Sequence, residues 1–386
     1  MVRGSDRVDL LASLAETHMA AGRVVEAAAA FERALAAAGA RPPAARAQLH
    51  ARHGWALHGA GRIAEAEAAF AQAVALDPED VAALVALAGL KFRARRFDEL
   101  EALAHRILVL RPGEPHSLFY LGRACMERGD WPGASAAFEG TLAAMPAHRN
   151  ARAHLSTALQ HVGRRDDARR ILDYARLVTV EDVRAVPGFE SMAIFHAALA
   201  ARIRTFPTLM RDRPNRATIG GRQTADFIDD PSPAVVALRA LVVAALERRL
   251  AAARPEDGLG VSRTHAWDLV GWAVVLPEGG HQSPHFHPKG MLSGIYYVDI
   301  PAQIGAEDPE RAGHLVFGRS VSLDRPEAEA GFLSHHLAPR AGALVIFPSH
   351  FWHHTRPFTG AGERLCVAFD ACPREGAVTV TGVEGY

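Results

Sequence analysis

Gln282-Ser-Pro-His285-Phe286-His287-Pro288, followed by Leu292-Ser-Gly-Ile-Tyr-Tyr-Val298, marks where this chain turns from helical to strand patterning and where its chemistry begins. Side chains alternate along a strand with period 2, so His285 and His287 share one face and Phe286 takes the other. A third histidine from a distant strand completes one side of a metal's coordination sphere and leaves the other side open. His353, in Phe347-Pro-Ser-His-Phe-Trp-His353-His-Thr-Arg-Pro-Phe358, is the candidate. Arg364, just beyond it, offers a clamp for a carboxylate. An isolated His-x-His is more often a pair of surface imidazoles. The later blocks shift the reading to a metal-dependent oxygenase rather than a passive binding domain.

Outward from this stretch, short β-rich runs cover Trp267–Leu276, Ser293–Ile300, Gly313–Phe317, Ala343–Phe347 and Arg364–Phe369. Turn clusters such as Pro277-Glu-Gly-Gly280 and Thr359-Gly-Ala-Gly362 separate them. Short strands between Gly/Pro turns imply a sandwich or barrel, and their number fits a double-stranded β-helix, the jelly roll. Two helices are expected on its flank, Ala193–Phe206 and Pro233–Ala253, the second with a core-facing stripe at Val235, Val236, Leu238, Leu241, Val242 and Leu246. A hairpin at Thr359–Gly362 is expected to return the chain so that Arg364, Cys366 and Ala368 share a face. In that register Arg364 lies about 13 Å of strand from His353. Ser293 is expected in a turn. Trp272 and Phe317 are expected as core aromatics. Asp226, Asp229 and Asp230 are expected in a solvated loop. His281, His314, His335, His336, His350 and His354 are expected in solvated or supporting roles.

The first half follows another grammar. Pro78, Pro112 and Pro146 stand 34 residues apart, as do Ala66, Leu100, Ala134 and Ala168, and Phe70, Ala104, Phe138 and Leu172. Gly61, Gly129 and Gly163 keep the same register. Small residues let two antiparallel helices approach, the Phe70-type residue fills the gap, glycine ends the first helix and proline stops the second. An irregular alanine-rich bundle would not hold several positions to one period. Five copies, from about Val8 to Tyr174, predict a right-handed α-solenoid with a concave face and resemble the tetratricopeptide repeat. The expected architecture is therefore α+β with two domains, a solenoid over residues 1–177 and a jelly roll with flanking helices over 178–386.

Composition bounds the rest. The 386 residues carry 43 basic and 43 acidic side chains, so the net charge of zero lacks the footprint of a general nucleic-acid binder. Three cysteines are too few and too scattered for a disulfide framework or a cysteine-rich zinc site. The charged N-terminus lacks an apolar signal core, and no apolar run reaches spanning length. The expectation is a cytoplasmic protein with no nucleic-acid or membrane partner.

His285-x-His287-Pro, Leu292-Ser-Gly-Ile-Tyr-Tyr-Val298, Gly342-Ala-Leu-Val-Ile-Phe-Pro-Ser349 with His353, and Glu363-Arg364 before an apolar strand resemble the 2-oxoglutarate/Fe(II) oxygenases of bacteria and phages. Gly220-Gly-Arg-Gln-Thr224 and Trp272-Ala-Val274 add to the likeness, which covers about Phe195 to Pro373. The resemblance implies that His285 and His353 ligate Fe(II), that Arg364 pairs with the distal carboxylate of 2-oxoglutarate, and that Tyr297 hydrogen-bonds the same group. His287 stands where such enzymes usually carry Asp or Glu. Three assignments stay open for the third ligand: His287 itself, water oriented by His287, or Asp299. His287 is preferred and Asp299 ranks last. The resemblance implies O2-dependent hydroxylation with 2-oxoglutarate as co-substrate. The solenoid suggests a protein or peptide substrate in its groove. A small-molecule hydroxylase with a solenoid for assembly, and a non-catalytic scaffold with a cupin-like metal barrel, are the alternatives.

Overall fold

The computed structural model describes residues 4–39, 41–254, 257, 259, 267–318 and 331–373. The chain divides into two compact units, the first ending at Met145 and the second beginning at Pro146. The last repeat-like helix pair, Arg149–His161 and Arg165–Ile171, therefore belongs to the second unit, although the 34-residue period carries through it. Residues 374–386, counted above with the jelly roll, lie outside the described residues.

The first unit is a row of antiparallel helix pairs: Gly4–Ala20 with Val24–Ala37, Pro43–Gly59 with Ile63–Leu76, Val81–Arg93 with Phe97–Leu110, and Pro115–Glu127 with Trp131–Ala144. Tight turns close the pairs. Gly61 N–H donates to His58 O and Arg62 N–H to Leu57 O, a pattern that needs a left-handed residue at position 61. Gly129 and Gly163 repeat that conformation, and Arg95 occupies it in the intervening repeat with φ 54°. Inside the pairs, space is matched residue for residue. A Cβ on Gly54 would lie 2.8 Å from the Phe70 ring, and one on Gly122 would lie 2.6 Å from the Phe138 ring. In the repeat between them, Ala88 replaces the glycine and Ala104 the phenylalanine, and both are fully buried. The pair is exchanged as a unit because a core at organic-crystal density tolerates only compensated volume changes.

In the second unit, strands β1 (Thr179–Asp182), β2 (Met210–Arg211), β3 (Thr218–Ile219) and β4 (Arg222–Gln223) precede eight that build the barrel. These are β5 (Trp267–Leu276), β6 (His281–Gln282), β7 (Leu292–Asp299), β8 (Leu315–Phe317), β9 (His335–Leu337), β10 (Ala343–Pro348), β11 (His353–Thr355) and β12 (Arg364–Pro373). The large antiparallel sheet runs β1-β10-β7-β12-β5-β4-β2. The small side holds β11-β8-β9 and β3-β6, joined by an antiparallel bridge between His285 and His353. The chain crosses between the two sides at nearly every connection, which is the jelly roll.

Helices Met192–Arg204 and Pro233–Ala251 cover the outer face of the large sheet. Leu365, Val367 and Phe369 of β12 point to that side and pack with Phe195, Leu199, Leu238 and Val242. Cys366 and Ala368 point inward, to a core with Ile295, Tyr297, Phe317, Phe347 and Phe351. The alternation read from the sequence thus holds, but the hairpin does not. β11 pairs with β8, whereas β12 pairs with β5 and β7. Arg364 reaches the interior from the sheet opposite His353 rather than from a strand beside it. The turn segment spans the two layers, a choice made by β5 and β7, both of which satisfy the β12 backbone.

Other local expectations also change. Ser293 lies inside β7, not in a turn. Asp230 forms a two-point ion pair with Arg202, and Asp226 accepts from the Gly271 N–H. Both carboxylates hold the loop before helix Pro233–Ala251, so this segment is more than a solvated loop. No described helix is long and apolar enough to cross a membrane.

The compensated packing gives a direct prediction. Phe138→Ala should destabilise the solenoid by about 3–5 kcal/mol. Gly122→Ala should cost about 1–3 kcal/mol through overpacking. The double variant should lose clearly less than the sum in urea unfolding, because Ala88 and Ala104 already form that combination; simple additivity would contradict the matched-pair account.

Candidate metal centre

The chain brings His285, His287 and His353 together: one ring nitrogen from each lies within 4.8 Å of the others. Two reciprocal main-chain bonds hold the first and third residues, His285 N–H to His353 O at 3.0 Å and His353 N–H to His285 O at 2.8 Å. Residues opposed in this way direct their side chains to the same face. His287 is tied separately, its N–H donating to Ser349 O at 2.9 Å.

Each imidazole is turned by the group its Nδ1 meets. His285 Nδ1 lies 2.7 Å from Ser283 O, and His353 Nδ1 lies 2.9 Å from Phe351 O. His287 Nδ1 lies 2.8 Å from Asp370 Oδ2. Each acceptor assigns the proton to Nδ1, which leaves every Nε2 with a lone pair for an ion. Burial, reinforced by neighbouring His287, pushes His285 down to about 3. Burial also holds His353 well below the usual histidine range. Both are neutral at physiological pH, the form that ligates. Three converging imidazoles fit a first-row divalent ion such as Fe(II).

Deeper in the barrel, Arg364 is 1% exposed. Its Nη2 donates to Tyr297 Oη at 3.2 Å, and its guanidinium lies 5.2 Å from the Tyr297 ring centre. Burial pushes the Tyr297 phenol up, so it remains a neutral donor. Arg364 Nε and Nη1 are buried without a hydrogen-bond partner among the described residues. A buried cation left unpaired costs several kcal/mol. The arrangement therefore fits an anion that accepts from the guanidinium fork and from the phenol.

Asp299 does not join the cluster. Its side chain is largely exposed and lies 3.8 Å from Arg204 at the surface. Of the remaining histidines, His314 Nε2 meets Gly305 O at 2.9 Å, and His335 stacks on Tyr174. Neither these nor His281, His336, His350 or His354 enter the described metal group. Phe317 is a core aromatic as expected, fully buried against Phe347. Trp272 is different: its indole stacks on His287, centroids 5.5 Å apart and planes 16° from parallel.

Sequence reasoning missed Asp370 and Ser349. Asp370 was within reach of it, because the inward alternation Arg364, Cys366, Ala368 continues to Asp370. The outward residues of the histidine strands were not legible. Phe286 and Trp352 pack edge to face at 4.7 Å and both contact His154 of helix Arg149–His161. Trp352 Nε1 also donates to Ala153 O. The first helix of the last repeat-like pair thus backs the histidine strands.

Comparison with known proteins finds family models in both halves of the chain. Residues 271–370 match the family model described as "Putative 2OG-Fe(II) oxygenase". Residues 10–45 and 57–118 match tetratricopeptide repeat models. The matches thus place repeat models in the first half of the chain and the oxygenase model in the second. No curated protein matches it. Among solved structures, the chain is similar to the MamA protein at 18% identity and TM-score 0.40, over 44% of this chain and 91% of that one. It is similar to a tetratricopeptide repeat protein from Parabacteroides merdae at 18% identity and TM-score 0.40, over 44% of this chain and 65% of that one. It is also similar to a Pseudomonas putida prolyl-4-hydroxylase at 19% identity and TM-score 0.35, over 52% and 96%.

Anaerobic titration with Co(II) should show one site. His353→Ala should weaken it by more than the roughly 10–100-fold typical of losing an orienting partner. His336→Ala should leave it unchanged, and equal losses in the two variants would remove the histidine cluster as the site.

Proposed function

We propose that this protein is an Fe(II)- and 2-oxoglutarate-dependent dioxygenase that hydroxylates a protein or peptide substrate recruited by its repeats. The observation that carries the reading is the buried Arg364 guanidinium, with two nitrogens unpartnered, in the same barrel as a three-histidine cluster. Metal binding alone would need the histidines and would leave Arg364 and Tyr297 without a role. A cupin-like metal barrel is the weaker reading for that reason.

On this reading His285, His353 and His287 hold the ion. Arg364 and Tyr297 hold the distal carboxylate of the co-substrate. When bound, Fe(II) and 2-oxoglutarate supply the activation of O2 that inserts one oxygen atom into a C–H bond and the other into succinate, with release of CO2. The chain's own task is geometric and electrostatic. The acceptors at each Nδ1 fix the rings before anything binds, so little reorganisation remains. Phe317, Phe347 and Phe351 line the interior and exclude water from the cluster. Half-buried Trp272 stacks on His287, and Val270, two positions along the same face of β5, is exposed. On this reading a substrate side chain would approach the cluster along that face.

The repeats support a polypeptide substrate, since tetratricopeptide surfaces generally engage protein segments. The repeat pattern is taken to run through residue 177 and the oxygenase to follow from 178, with the last helix pair packed in the second unit. A small-molecule substrate, with the repeats serving assembly, is the competing outcome.

The test is succinate formation from 2-oxoglutarate with Fe(II), and isotope-labelled O2 incorporation into peptides retained by the protein. Arg364→Met should weaken 2-oxoglutarate binding by about 2–5 kcal/mol while leaving Co(II) affinity nearly unchanged. Tyr297→Phe should cost about 0.5–1.5 kcal/mol. Metal binding with no measurable 2-oxoglutarate binding in the wild type would overturn the assignment in favour of the cupin-like reading.

A further inference from the structure

The three imidazoles are not equivalent. His285 and His353 each point Nδ1 at a main-chain carbonyl two residues earlier, a neutral dipole. His287 alone points Nδ1 at a carboxylate, Asp370 Oδ2 at 2.8 Å. The other carboxylate oxygen, Oδ1, lies 2.6 Å from Ser293 Oγ, and Ser293 Oγ lies 2.8 Å from Ser349 Oγ. A carboxylate can only accept, so Ser293 donates to Asp370 and Ser349 donates to Ser293.

This hydroxyl chain is closely fitted. A Cβ on Gly290 would lie 2.5 Å from Ser349 Oγ and 3.3 Å from the Asp370 side chain. Ser349 also accepts the His287 N–H through its main-chain oxygen, while Met291 N–H donates to Ala371 O beside Asp370. The loop bearing His287 is therefore tied to Ser349 and to the residue after Asp370. No arginine or lysine among the described residues forms an ion pair with Asp370. Its carboxylate is directed at His287, with no basic side chain among the described residues paired to it.

We propose that Asp370 is a positioning residue that supplies, through His287, the negative charge a set of three neutral ligands lacks, and thereby sets the affinity of the site for its divalent ion. The proposal rests on the metal-site reading above. In that reading a histidine stands where a carboxylate ligand is usual. Here the carboxylate sits one imidazole further out. Its hydrogen bond to Nδ1–H makes Nε2 more basic and holds the ring in the ligating orientation. The charge is thus moved outward rather than lost.

The test separates charge from shape, using Co(II) alone as the probe, without oxygen and without 2-oxoglutarate, followed by ligand-field absorption. Asp370→Asn keeps an acceptor for Nδ1–H and nearly the same volume but removes the charge. It should weaken Co(II) binding about 10–100-fold and shift the absorption bands, with the thermal midpoint of the metal-free protein little changed. Asp370→Ala should weaken it at least as much. In a His287→Asp background, where a carboxylate ligates directly, Asp370→Asn should no longer weaken binding, because the nearby charge is then redundant and repulsive. Co(II) affinity of Asp370→Asn within twofold of wild type would overturn the proposal. So would an equal loss from Asp370→Asn in both backgrounds. Absence of Co(II) binding by the wild type would instead overturn the metal-site reading itself, so the two failures are distinguishable.

Discussion

Two reciprocal main-chain hydrogen bonds between His285 and His353 are the constraint on which the site depends. They close the seam of the small sheet between the strand that brings His285 and β11. Because opposed residues of an antiparallel pair point the same way, the bridge converts a separation of 68 positions into two imidazoles 4.2 Å apart, centre to centre. Without it, any ion held here would have to gather the rings itself at a large ordering cost. With it, the cluster exists before binding, and the Nδ1 acceptors finish the alignment.

The large sheet provides the second half of the arrangement. β12 is buried on both faces, and each face has a distinct use. Leu365, Val367 and Phe369 anchor the strand under the flanking helices. The opposite face runs from Arg364, past small Cys366 and Ala368, to Asp370. One strand therefore carries buried Arg364 toward one end and Asp370, which meets His287, toward the other, with little bulk between. Gly294 on β7 serves the same strand from beneath: a Cβ there would lie 2.2 Å from the Phe369 ring. Stability and chemistry are divided between the two faces of a single element.

The repeat unit shows the same economy by different means. Its period preserves helix contacts through volume-matched pairs rather than invariant residues, as Gly54 with Phe70, Gly122 with Phe138 and Ala88 with Ala104 make plain. The last pair of helices departs from a purely modular role. It keeps the period but packs in the second unit, where Ala153 and His154 meet Trp352 and Phe286 behind the histidine strands.

Periodicity made much of this legible from the chain alone. A period of 34 located the helix pairs, and a period of 2 placed His285 with His287 and Arg364 with Cys366 and Ala368. These are local regularities, set by backbone geometry whatever the partner strand. The same rule, carried two residues further, would have reached Asp370. What tertiary structure alone decided is which strands lie side by side. The segment after Thr359–Gly362 could close a hairpin with β11 or cross to the other sheet, and turn residues permit both. Only the competition among backbones, with β5 and β7 both available to β12, places Arg364 across the barrel from His353. Likewise nothing local distinguishes Trp272 on the rim from Phe317 in the core, or an exposed Asp299 from the Asp370 that meets His287. Those distinctions belong to strand order, which depends on contacts between residues far apart in the chain.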